Sequence, residues 1–154
     1  MASLLPPTPR FVFTVIEPLA LIAGAIAPFV SPSEFVSAQL AHLPRHSLLP
    51  SEHILALQIG NLYLLLAMLG LFILYSTSEI RTVRAYVIAL WVADIGHVAV
   101  TGWAMGHENI ADLRSWNYMA WGNIGSTTFL FAIRSLYLLG AFGNSPVRIT
   151  SRRK

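Results

Sequence analysis

Tyr86–Ala104 reads Tyr-Val-Ile-Ala-Leu-Trp-Val-Ala-Asp-Ile-Gly-His-Val-Ala-Val-Thr-Gly-Trp-Ala. A run this long and this apolar reads as a helix that crosses a membrane. Asp94 and His97 break the pattern. They are three residues apart, so on a helix they share a face. If the helix enters the bilayer near Arg84, Asp94 lies about 15 Å inside, close to the middle of a hydrocarbon layer about 30 Å thick. An ionisable group at that depth is costly, and it marks a candidate site.

Working outward, three more apolar runs flank this one. The sequence predicts an all-α, four-helix transmembrane bundle in one domain, residues 1–154, with spans near 11–30, 54–75, 86–104 and 119–142. Residues 1–10 hold Pro6, Pro7 and Pro9 and read as an extended lead-in. A cleaved signal peptide fits poorly, because its apolar core would contain Glu17 and Pro18 and no small-X-small site follows. A loop fills 31–52, with a short surface helix at 34–40. Gly143-Asn144-Ser145-Pro146 reads as the stop of the fourth span, before a basic cytosolic tail.

Composition agrees with this reading. Hydrophobic residues make up 55% of the 154 and charged residues 11%, against about 25% charged in soluble domains. Four spans place Arg10, Arg81, Arg84, Arg148, Arg152, Arg153 and Lys154 on one side, and only Arg45 and Arg114 on the other. That bias puts both termini in the cytosol; the expected location is the endoplasmic reticulum or another internal membrane. It also accounts for the net charge of +3 without a nucleic-acid partner. The chain has no cysteine, which removes thiolate chemistry, disulfides and cysteine-ligated metals.

The polar residues within the spans define the candidate site. Glu17 lies about 10 Å past Arg10 and Arg134 about 12 Å before Phe142, so the two match in depth and are expected to pair. Asp94 with His97 reads as a carboxylate–imidazole pair able to exchange a proton near neutral pH. Asp94, His97 and Glu17 are the candidate catalytic residues. Gln58 and Asn61 on the second span, and Asn123, Thr127 and Arg134 on the fourth, form polar stripes expected to converge on the same cavity. Gln58, Asn61, Asn123, Arg134 and Trp121 are the candidate substrate contacts. Trp116 and Trp121 also suit an interfacial aromatic belt. Taken singly, Asn61, Asn123 and Thr127 read as interhelical hydrogen-bonding groups. No metal site is expected, since Asp94 and His97 supply only two ligands, and no cofactor motif is present. Ala20 and Gly24, Gly96, Gly102, and Gly122 with Ser126 read as sites of close helix contact.

With these residues placed, the chain resembles a family of small fungal multi-pass membrane proteins, largely uncharacterised. The resemblance rests on 11–18 with its Glu-Pro, on 58–62, on Asp94-Ile95-Gly96-His97, on Arg114-Ser115-Trp116-Asn117, on Trp121-Gly122-Asn123-Ile124-Gly125 and on Arg134. It implies an association with gene clusters for secondary metabolites. More distantly, the layout looks like emopamil-binding, sterol-isomerase-like bundles and transmembrane terpene cyclases, which have more spans. That likeness implies a cofactor-free isomerase or cyclase working by acid–base chemistry on a lipophilic small molecule within the lipid bilayer. The rival reading is a non-catalytic accessory that binds lipid or scaffolds a partner enzyme. A homo-oligomer is compatible with either.

Overall fold

The computed structural model describes residues 4–40 and 42–143. The expected stop at Asn144-Ser145-Pro146 and the basic tail lie outside the described residues. All regular elements among the described residues are helices. We label them α1 (Pro7–Val30), α2 (Pro32–Ser37), α3 (Pro50–Ser76), α4 (Ile80–Met105), α5 (His107–Ala111) and α6 (118–138). Among the described residues, α1, α3 and α4 are long and apolar enough to cross a membrane, as an integral membrane protein requires. At 1.5 Å per residue α6 is about 30 Å long. It is not one of the three, and it carries Asn123, Ser126, Thr127, Thr128 and Arg134.

The helix starts follow local chemistry. Prolines sit in the first turns of α1, α2 and α3, where the missing N–H is no loss. The expected extended lead-in is therefore corrected: α1 begins at Pro7, because a proline near the helix start supports the helix. At the start of α3, the Leu49 N–H donates to Glu52 Oε2 at 2.8 Å and His46 approaches the same oxygen at 3.0 Å. Further along α1, Pro18 cannot donate to the residue-14 carbonyl. A π-type turn over Val12–Ile16 precedes it.

Helix α6 ends at Leu138, four residues short of the expected boundary. Gly140 takes φ +77°. The Gly140 N–H donates to the Tyr137 carbonyl at 3.0 Å and the Ala141 N–H to the Leu136 carbonyl at 2.9 Å. These two bonds are a Schellman stop, which needs the left-handed conformation glycine adopts freely.

The long helices alternate in direction. At one end Leu5, the start of α1 (Val12, Phe13), the end of α3 (Leu74), the start of α4 (Val83, Val87) and the end of α6 (Tyr137, Leu138) share one apolar cluster. At the other end α2 folds under the mouth of the bundle, burying Phe35 and Ala38 with Ala56 and Met119. The α1–α3 contact is set by small residues. A Cβ at Gly60 would come within 2.7 Å of Pro28 and Phe29 and 2.9 Å of the Ala25 carbonyl. The buried face of α3 is Ala56, Gly60, Ala67, Gly70 and Leu74. Gly24 is close-packed against Tyr63 as expected, whereas Gly96 and Gly122 face open space.

Candidate functional site

Three helices each deliver one ionisable group to the same point. Arg134 of α6 donates through Nη2 to Glu17 Oε1 of α1 and through Nη1 to Asp94 Oδ2 of α4, both at 2.5 Å. Arg134 is 1% exposed, and Glu17 and Asp94 are 8% each. The Phe13 ring lies 5.5 Å from the guanidinium carbon, on a further face of the cation. Trp91 Nε1 donates to Ser135 Oγ at 2.8 Å, and the Trp91 ring stacks on Phe131 at 5.5 Å. This contact locks α4 to α6 one residue from Arg134.

The arrangement has two chemical consequences. One guanidinium faces two carboxylates, so with both acids ionised the cluster carries a formal charge of −1. A buried charge is costly unless compensated, and one further positive charge would bring the set to neutrality. The second consequence concerns Arg134 Nε, which is buried without a hydrogen-bond partner among the described residues. A buried donor left unpaired costs about 1–3 kcal/mol.

The expected Glu17–Arg134 pair is present, and Asp94 faces inward. The expected Asp94–His97 pair is corrected: Asp94 bonds Arg134 of α6, and His97 sits half-buried one turn along α4. The reason is strength, since a guanidinium–carboxylate bond outweighs a carboxylate–imidazole contact within one helix. Asn123 donates from Nδ2 to Gln39 Oε1 at 2.7 Å. Gln58 and Asn61 are also corrected. Both are exposed, because the small residues of α3 take the inward face and place these two on the far side of the helix. Trp121 is 50% exposed at the rim, edge-on to Trp116 at 5.1 Å, and does not reach the cluster.

A cavity of about 190 Å³ opens at the α2 end of the molecule, lined among others by Gln39, Asn109, Trp116 and Asn117. Asn117 donates from Nδ2 to the Ala38 carbonyl at 2.9 Å and accepts from the Ala120 N–H at 2.9 Å, fixing the wall where α6 begins. Sequence reasoning did not single out Gln39. Its only signal was its place within the predicted surface helix.

A family model matches residues 2–144. The chain belongs to the family described as Domain of unknown function (DUF7704). The matched stretch of this DUF7704 chain holds Glu17, Asp94, His97, Asn123 and Arg134, and therefore the whole cluster. Comparison with curated proteins and with solved structures returns no match.

Proposed function

We propose that this DUF7704 protein is a four-crossing membrane protein that carries out cofactor-free acid–base chemistry on a lipophilic metabolite, an isomerisation or a cyclisation. The carrying observation is the excess acid: two buried carboxylates share one arginine. A proton is the smallest positive charge that completes the set, and a carboxyl that gains and loses it serves as acid and base in turn. Asp94 is the proton donor, Glu17 the second acid, and Arg134 holds both in place. The unpaired Arg134 Nε–H donates to an oxygen of the substrate. In this arrangement α6 crosses beside the three apolar helices, and both termini face the cytosol.

Asp94→Asn tests this reading. The amide keeps the shape of the side chain and removes the titration. In cells that make the protein, we expect normal insertion and loss of one lipophilic product with build-up of its precursor, read by untargeted metabolite profiling. Normal insertion with an unchanged profile overturns the acid–base role.

A second reading is a non-catalytic accessory, in which the cluster only clamps α1, α4 and α6 together. It draws on the tight pairing of Arg134 with both acids. It predicts that the Asp94→Asn profile is unchanged while substitutions at Gly60 and Ala56 abolish function.

A further inference from the structure

A chain of polar side chains runs from the cavity toward the buried cluster. Gln39 lines the cavity and accepts from Asn123 Nδ2 at 2.7 Å. Asn123 lies on the first stretch of α6, which packs against α4, the helix that carries His97. His97 is half-buried and lies one helical turn from Asp94 on the same face of α4. Thr101, also half-buried, lies one turn beyond His97 toward the cavity. At 1.5 Å per residue, His97 to Met105 on the cavity wall is about 12 Å, a span that few water molecules bridge. The neighbours of His97 along this path are neutral apart from Asp94. Beyond Asp94 stand Arg134 and Glu17, with the phenol of Tyr86 against Gly70 on the α3 side.

We propose that Gln39, Asn123 and His97 form a water-accessible path along which protons reach Asp94 from the α2 end of the molecule. The amides hold and orient water, and His97 is the group that relays. A hydronium in the cavity gives its proton to one ring nitrogen and becomes water. The other ring nitrogen releases its proton, through an intervening water, to the Asp94 carboxylate one turn away, leaving neutral imidazole in the opposite tautomer and a neutral carboxyl. Asp94 Oδ2 is engaged by Arg134, so Oδ1 is the receiving oxygen. His97 is thus a relay rather than a catalytic residue. The inference rests on the acid–base reading, to which it adds the source and the side of the proton.

The chain contains no cysteine, so single cysteines report accessibility without background. Gln39→Cys, Asn123→Cys, His97→Cys and Thr101→Cys are made in the full chain, with Val92→Cys and Val100→Cys as lipid-facing controls, which are 56% and 64% exposed in the isolated molecule. Each is placed in sealed vesicles and treated with a membrane-impermeant trimethylammonium methanethiosulfonate. We expect the four path positions to react at least tenfold faster than the controls, and only from the α2 side. Path positions that react no faster than Val100→Cys, or that react from the opposite side, overturn the proposal. Thr101→Cys breaks none of the path's hydrogen bonds, so the test stands even if Asn123→Cys does not fold. An accessible path with an unchanged Asp94→Asn profile sinks the acid–base reading and spares the path. A sealed path with a lost Asp94→Asn product does the reverse.

Discussion

Arg134 is held at 1% exposure between two acids from other helices. Removing one member of such a set leaves the others charged and buried, which costs about 3–5 kcal/mol, whereas replacing the whole set with neutral groups is often harmless. Arg134→Met alone is therefore expected to lower unfolding stability in micelles by about 3–5 kcal/mol. The triple variant Arg134→Met with Glu17→Gln and Asp94→Asn is expected to regain most of it, as followed by thermal or denaturant unfolding. If the triple is no more stable than the single, charge is not what makes Arg134 indispensable. The Glu17–Arg134 pair was legible in sequence because each residue could be counted from a boundary, and the two depths agreed. Arg134 as the partner of Asp94 was not legible. Helical spacing reports neighbours within a turn and pointed to His97, while the actual partner sits forty residues away.

At the scale of elements, α3 shows why polar residues misled. Gln58 and Asn61 carry the only side-chain amides of that helix, and polarity alone argued that they face inward. The inward face is chosen by how closely another helix can approach, and Ala56, Gly60, Ala67 and Gly70 permit the closest approach. The small residues were the better guide, and among them Gly60 decides the contact with α1. Gly60→Leu places carbon into the Pro28 ring, the Phe29 ring and the Ala25 carbonyl. It is expected to cost on the order of 1–3 kcal/mol, whereas Gly96→Leu, which meets nothing within 4 Å, is expected to be near neutral. Paired melting curves of the two variants make the comparison, and equal losses would contradict it. The end of α6 is a similar case. The obvious punctuation at Gly143 and Pro146 drew attention away from Gly140, where the positive-φ stop occurs.

Across the whole molecule, polar contacts join the α1–α3 pair and the α4–α6 pair at two levels, beyond the apolar cluster they share at one end. One is the Glu17–Arg134–Asp94 cluster. The other is the α2 end, where Asn117 and Asn123 of α6 bond Ala38 and Gln39. The apolar runs and the α2 helix were visible in sequence because each is a local pattern. The joints at the α2 end were not, since a hydrogen bond between residues about eighty apart leaves no periodic trace. The outer faces of α1 and α3 are broadly apolar, including Ile22, Ile26 and Phe29 on α1 and Leu62, Leu65 and Phe72 on α3. That outside suits lipid as its solvent.

The placement of the arginine also bears on how the chain is made. In the four-crossing arrangement, α6 is the least greasy segment and carries a charge whose entry into hydrocarbon costs about 2.5–3.5 kcal/mol near the centre of a lone helix. Both counter-charges lie upstream, on segments synthesised earlier. In that arrangement the two acids are already in the bilayer when α6 leaves the ribosome, so biogenesis has a built-in order: the anionic seats are laid down before the cation that fills them.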